Sequence, residues 1–304
     1  MDKKEITVII HRHCRRLAQL LNQVFDRGGL ADIHDFRVQY KKFRAFLRLL
    51  DFKCKEGQTS RISKSLQQAY QLSGSIRDLQ LQRQRITRVT RQQPGSAKAY
   101  LDLLKEEILA LRPMLSSIII RNPALDTEHH LAAVSWKKYK TKNIELFFAY
   151  KWNTLEQIIN ARNFSEENVH AIRKILKDIF YTEKDHGKGK LSSLPFRLSK
   201  RIYMHSLKQL LHELGQFHDK CVALALLRTP SLSKLDQPTR VLMIAIKADW
   251  SKEKAKMKTA LLQKIKWILA PTSLPLPKLN NQGPRRKKGL KNPVVPHSIN
   301  MSDN

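Results

Sequence analysis

Apolar residues recur at helical spacing along almost the whole chain between residues 3 and 270, and no series of period-two alternations bounded by tight turns interrupts them. That pattern predicts an all-α protein. The periodic stretches divide into helices over 3–27, 33–52, 58–91, 97–121, 138–161, 166–185, 194–228 and 238–269. Breakers mark the divisions: Gly28-Gly29, Gly57, Pro94-Gly95, Asn122-Pro123, and Gly187 with Gly189. Ser96, Ser165 and Asp236 stand where N-caps belong, with Pro238 just inside the last helix. Pro113 falls within the fourth helix and predicts a kink or break there.

The second stretch, HDFRVQYKKFRAFLRLL over 34–50, is polar and apolar in an unusual way. At about 100° per residue, His34, Arg37, Lys41, Arg44 and Arg48 fall within roughly an 80° stripe. Phe36, Tyr40, Phe43, Leu47 and Leu50 cluster on another face, so the helix can bury its aromatics and present a cationic ridge. Like charges one turn apart destabilise an isolated helix by a few tenths of a kcal/mol per pair. The array therefore points to a partner outside the helix, and an elongated polyanion fits.

The same arrangement returns at 169–186, VHAIRKILKDIFYTEKDH. His34, Arg37 and Lys41 align with His170, Arg173 and Lys177; Phe36, Tyr40 and Phe43 align with Ile172, Leu176 and Ile179. One helix later, LSGSIRDLQL at 72–81 aligns with LGQFHDKCVAL at 214–224, which sets Gly74 against Gly215 and Asp78 against Asp219. Two copies of a four-helix unit follow, over 1–125 and 126–270, each expected as an up-and-down bundle because its connections are short. Residues 271–304 are Pro-, Asn- and Lys/Arg-rich without periodicity, and are expected to form a disordered basic tail.

Composition sharpens the polyanion reading. The chain has 57 Lys+Arg against 26 Asp+Glu, a formal net charge of +31, while 41% of its residues are hydrophobic. The charge decorates a fold with ample core material, and its sign suits nucleic acid, anionic lipid or a phosphate polymer. Three cysteines without a CxxC pair, Cys14, Cys54 and Cys221, suit a reducing cytoplasm. The opening segment interrupts its apolar run with His11 and Arg12, and no later run approaches the roughly 18 apolar residues of a membrane span. A soluble, cytoplasmic protein is the expectation.

His34-x-x-Arg37-x-x-x-Lys41-Lys42-x-Arg44, the Leu72-x-Gly74-x-x-Arg77-Asp78-Leu79 segment and their counterparts in the second half resemble the CHAD proteins, a histidine-bearing α-helical family associated with inorganic polyphosphate. The resemblance spans about residues 1–270. It implies two pseudo-symmetric four-helix bundles whose basic faces line a shared groove or channel for polyphosphate, no catalysis, and association with polyphosphate granules. Two departures weaken the second half: Phe180 occupies the position equivalent to Arg44, and His218 stands beside Asp219 where Arg or Asn is usual. Lys184, aligned with Arg48, restores part of the stripe.

A polyphosphate chain offers only acceptor oxygens along a line, so its site needs donors repeated along a line. The expected set is His34, Arg37, Lys41, Arg44 and Arg48; His170, Arg173, Lys177 and Lys184; Lys64; and a further ridge, Arg197, Arg201, His205, Lys208 and His212. His34 and His170 are expected to open their helices, at the positive end of the helix dipole. Asp78 and Asp219 are expected to hold neighbouring cations or cap a helix end. No cofactor or metal is called for. His34-Asp35 and His218-Asp219 are non-equivalent dipeptides without further metal ligands, His129-His130 lacks a partner one turn on, and Gly187-Lys188-Gly189-Lys190 lacks P-loop spacing. The competing reading is a non-specific nucleic-acid binder, which would interleave aromatics with the cations, whereas Phe36, Tyr40 and Phe43 lie on the apolar face. A phosphotransferase using His34 or His170 ranks below both.

Overall fold

The computed structural model describes residues 1–52, 62–92, 95–134, 136, 140–184, 200–228 and 232–268; within these, the side chains of 141, 200–204 and 266–268 are left undescribed. The described residues form nine α-helices and no strands: α1 (Lys3–Asp26), α2 (Leu30–Asp51), α3 (Lys64–Val89), α4 (Lys98–Ile120), α5 (Pro123–Ala132), α6 (Thr141–Asn160), α7 (Glu166–Thr182), α8 (Lys200–Leu226) and α9 (Gln237–Ile268). None is long and apolar enough to cross a membrane.

Local chemistry sets the boundaries. Asp2 and Glu5 form a reciprocal capping box at the start of α1, each carboxylate accepting from the other residue's backbone N–H at 2.8 Å. Ser63, Ser165 and Asp236 accept from Leu66, Asn168 and Thr239 N–H at 3.2 Å and so start α3, α7 and α9. Ser96 does not cap α4: Ala97 occupies that position, and the Ser96 carbonyl instead accepts from the Thr239 hydroxyl at 3.4 Å. Gly28, at φ +56°, closes α1 in the left-handed region that costs glycine little. Pro113 sits inside a continuous α4. The helix α5, outside the eight read from sequence, begins at Asn122 (φ +50°) with Pro123 in its first turn and packs on α1 and α3. Thr127 of α5 and Ser63 tie it to the start of α3 through their hydroxyls, 2.8 Å apart.

The packing follows the chain in both halves. In the first, α1 packs on α2, α2 on α3 and α3 on α4, while α1 also touches α4; in the second, α6 packs on α7, α7 on α8 and α8 on α9. Phe36, Tyr40, Phe43, Leu47 and Leu50 of α2 and Ile172, Leu176 and Ile179 of α7 are buried, as their spacing predicts. The halves meet where α2 lies on α7, α3 on α8 and α4 on α9. A buried polar link fixes that seam: Gln82 of α3 donates to the Ala223 carbonyl at 3.3 Å, and the Tyr100 hydroxyl of α4 donates to the Leu226 carbonyl at 3.1 Å. Asp178, buried in α7, accepts from Arg48 of α2 at 2.6 Å and Lys151 of α6 at 2.8 Å. A carboxylate with two cations at hydrogen-bond distance is the satisfied form of a buried charge, and removing either partner leaves the other costly.

Candidate anion site

The site starts from an absence on α3. A mid-helix glycine costs about 1 kcal/mol relative to alanine, yet Gly74 stands in the middle of α3. The space a side chain would take is filled by Arg37 of α2: a Cβ on residue 74 would lie 2.3 Å from the Arg37 Nη1. The guanidinium donates to the Tyr70 carbonyl and lies over the Tyr70 ring, 4.2 Å from its centroid. Tyr40 stacks on the same ring at 4.1 Å, and two groups that close must take opposite faces.

Across the seam, α7 and α8 repeat the construction more loosely. Arg173 stands 3.9 Å from where a Gly215 Cβ would be, and its Nε is buried without a partner. Arg77 of α3 places its Nη2 3.3 Å from the His34 Nδ1. The equivalent positions hold two imidazoles, His170 and His218, with ring centroids 4.9 Å apart.

Electrostatics show that these cations form one cluster. Burial pushes the Lys41 amine down to about 6, and the charges of Lys177, Arg37, Arg173 and Arg77 add to it. Lys177 falls to about 8, first through burial and then through Arg173, with Arg37 and Arg77 contributing and Asp219 opposing. Lys41 feels the charged Lys177 because it loses its proton first; Lys177 titrates beside an already neutral neighbour. Burial, then nearby cations, lowers His170 to about 4 and His218 to about 3, so both are neutral at ordinary pH. His34 is lowered too, by burial and then Arg77. Asp78 is raised by burial against the pull of Arg37 and Arg77, with Asp219 adding to the rise. Arg85 of α3 reaches Asp219 of α8 at 3.8 Å. Asp219 thus has a cation within ion-pair distance and Asp78 feels the charges of Arg37 and Arg77, and Arg37, Lys41, Arg77, Arg85, Arg173 and Lys177 outnumber the two carboxylates.

The remaining predicted residues divide. Arg44 lies 5.8 Å from the Tyr40 centroid, and Arg48 is committed to Asp178. Lys64, Lys184, His205, Lys208 and His212 are exposed. On α8 the last three lie at a three- and four-residue spacing that continues to Gly215 and Asp219, so an open ridge leads toward the cluster. Arg201 is within α8 but its side chain is undescribed, and Arg197 lies outside the described residues, as do Cys54, Gly57, Gly187, Gly189 and the tail. Phe180 is half-buried against the core where the stripe loses its cation. His34 and His170 do not open their helices: α2 and α7 each begin four residues earlier, so their backbone N–H groups are past the unpaired first turn. Tyr70, Arg77, Arg85 and His218 join the cluster without having been singled out as binding residues; all lie on the faces of α3 and α8 that carry Gly74 and Gly215. Among the described residues, no three His, Cys, Asp or Glu side chains are grouped to hold a metal ion.

Comparison with known proteins agrees with this architecture. The family model for the CHAD domain matches residues 9–228. The crystal structure of the CHAD domain from the plant Ricinus communis superposes with a TM-score of 0.63 at 17% identity, covering 86% of this chain and 89% of that one. No curated protein matches.

Proposed function

The chain belongs to the CHAD domain family, and from that premise we propose that it binds inorganic polyphosphate in the cationic seam between α2–α3 and α7–α8 and does not turn it over. The observation that carries this reading is the convergence of Arg37, Lys41 and Arg77 with Arg173 and Lys177, depressed amines included. Holding like charges together out of water opposes folding, and an arriving polyanion relieves that cost. Phosphate oxygens would accept from the guanidinium forks and from lysines that regain their protons beside the ligand. The exposed ridge of Lys208 with His205 and His212 gives a chain somewhere to continue, which a single phosphate would not use.

One feature favours a bare phosphate polymer over single-stranded nucleic acid. Stacking on aromatic faces supplies about 1–3 kcal/mol per base in such complexes. Tyr70, the aromatic ring set among the cluster's cations, has its two faces taken by Tyr40 and Arg37. Competition between long polyphosphate and single-stranded DNA of equal charge tests the reading. Polyphosphate should displace the DNA, and in a parallel incubation polyphosphate or ATP with Mg²⁺ or Mn²⁺ should release no phosphate above a denatured control. Tighter DNA binding would replace the polymer with nucleic acid, and turnover that survives repurification would make the protein an enzyme.

A further inference from the structure

The first turns of α9 are apolar on two opposite faces. Met243, Ile246 and Trp250 point into the protein and are buried. Val241 and Ile244 point the other way and are 56% and 53% exposed. Ala245 and Ala248, also exposed, complete a stripe at the i, i+3, i+4, i+7 spacing of one helix face. A helix that is apolar all round is ordinarily covered all round. Among the described residues, the exposed large apolar side chains of the other long helices do not pair in this way. Val8 and Phe25 stand near opposite ends of α1, and Leu109 and Met114 of α4 lie about 140° apart around their helix. Single exposed apolar side chains are normal on a protein surface, whereas a contiguous stripe marks a contact.

The charges along α9 say what covers the stripe. Its outward line continues through Lys252, Ala255, Lys256, Thr259 and Gln263, all exposed. The acids of this region are engaged to the sides: Glu253 meets Lys220 of α8 at 2.5 Å, Glu166 of α7 holds Lys254 at 2.7 Å, and Glu213 of α8 holds Lys264. Asp249, at the edge of the line, meets Lys252 of its own helix at 3.7 Å, and Lys256 makes no ion pair among the described residues. An aliphatic stripe followed by lysines thus faces outward on a chain of net charge +31. A second copy on this face would bring two large charges of one sign together. A partner helix would find a ridge, since the stripe lies opposite the buried face of α9 and not in a groove between two helices.

We propose that the outer face of α9 docks on an anionic lipid bilayer. The helix lies in the plane of the headgroups, with Val241 and Ile244 reaching the acyl boundary and Lys252 and Lys256 meeting lipid phosphates. This is a helix that lies on a membrane without spanning it, as its composition requires. Electrostatic attraction alone would be non-specific on so basic a protein; the aliphatic pair beside the lysines supplies the second, local signal that fixes which face meets the lipid. None of these residues belongs to the cationic seam, so the proposal does not rest on the polyphosphate reading.

The test uses the full chain and vesicles of equal parts phosphatidylserine and phosphatidylcholine, with bound protein measured by flotation at matched helicity of all variants. The wild type should bind these vesicles and leave pure phosphatidylcholine free. Val241→Gln with Ile244→Gln keeps the net charge and should weaken binding by about tenfold or more. Leu109→Gln with Met114→Gln, an equally exposed pair on α4, should bind as the wild type does. Lys252→Gln with Lys256→Gln should cost about tenfold to thirtyfold. Ile244→Trp should bind more tightly and add an emission that shifts to the blue on vesicles and is quenched by brominated acyl chains. Equal binding by the wild type and the Val241/Ile244 variant overturns the proposal and leaves attraction by net charge, and no binding of the wild type to anionic vesicles also overturns it. Light scattering without lipid tests the rival occupant: a wild-type dimer that the Val241/Ile244 variant dissolves would assign the stripe to a second copy and overturn the proposal as well.

Discussion

Arg37 and Arg173 occupy equivalent places in the two halves, yet their chemical situations differ. Arg37 fills the hollow over Gly74, donates to the Tyr70 carbonyl and covers the Tyr70 ring. Arg173 stops 3.9 Å short of the corresponding contact at Gly215 and keeps a buried Nε unpartnered. A second pair of positions diverges in the same direction: Arg77 meets His34 in the first half, and neutral His218 meets neutral His170 in the second. Arg37 thus ties α2 to α3 within the first half, while Arg173 keeps an Nε without a protein partner.

Removing each arginine should separate those roles most strongly. Arg173→Gln is expected to weaken polyphosphate binding by about tenfold to a hundredfold, the worth of one charge-assisted hydrogen-bonded contact, with the melting temperature unchanged or raised. Arg37→Gln should instead cost about 1.5–3 kcal/mol of stability through the lost bond to the Tyr70 carbonyl, with a smaller loss of affinity. Calorimetric titration and denaturant unfolding of both variants check this, and reversed losses would reverse the assignment.

The glycines offer a subtler contrast. Gly215→Ala meets only ordinary van der Waals contact at 3.9 Å, so it should gain up to about 1 kcal/mol of helix propensity and bind as before. Gly74→Ala puts a methyl 2.3 Å from the Arg37 Nη1 and must eject that guanidinium from its bond and stack. Its propensity gain should be cancelled, leaving it no more stable than the wild type and about threefold to tenfold weaker in affinity. Urea melts of the two variants side by side would expose the difference.

How much of this could be read from the chain? The alignment of the two stretches pairs residues at matching depth in their helices, since α2 and α7 start four residues before His34 and His170 respectively. Helix periodicity also gave the buried aromatics of α2, because the spacing of apolar residues alone determines which face turns inward. What escaped was tertiary. Arg48 looks like a ridge cation until Asp178, 130 residues away, claims it. Tyr70 and Arg85 sit one turn before Gly74 and two turns after Asp78, on a face whose meaning appears only once α3 lies on α8. The helix α5 is short, ten residues, and its Pro123 start reads equally well as a linker between the halves. Ser96 is a good N-cap residue, but α4 starts one residue later with Ala97 in that position, and the Ser96 carbonyl accepts from Thr239 of α9.

Protonation gives a smaller, pH-resolved effect. Lys41 and Lys177 have free-state values near 6 and 8, and a bound phosphate raises both, so binding takes up protons. Affinity should therefore fall by a few-fold per unit as pH rises from about 6 to 9. Titrations in buffers of different ionisation enthalpy should report uptake of up to one proton near neutrality, and Lys41→Met should abolish most of it. His170 and His218, already neutral above about pH 4, should leave that profile unchanged when replaced by Gln. Smallest of all, His218→Arg restores the charge that Arg77 supplies in the first half and should tighten binding by two- to threefold.

Salt dependence tests the central claim most directly. Two variants lose the same charge: Arg173→Gln with Lys177→Gln in the seam, and Lys105→Gln with Lys256→Gln on the exposed surfaces of α4 and α9. Long polyphosphate is titrated against both and the wild type across a range of salt concentrations, after matched helicity is established. By analogy with counterion release on nucleic acids, each lost phosphate contact flattens the slope of log affinity against log salt by roughly one unit. A flattening near two for the seam pair, with the surface pair close to wild type, is the predicted result. Equal slopes and equal losses in both folded variants would contradict it, leaving a protein that attracts anions through its net charge alone.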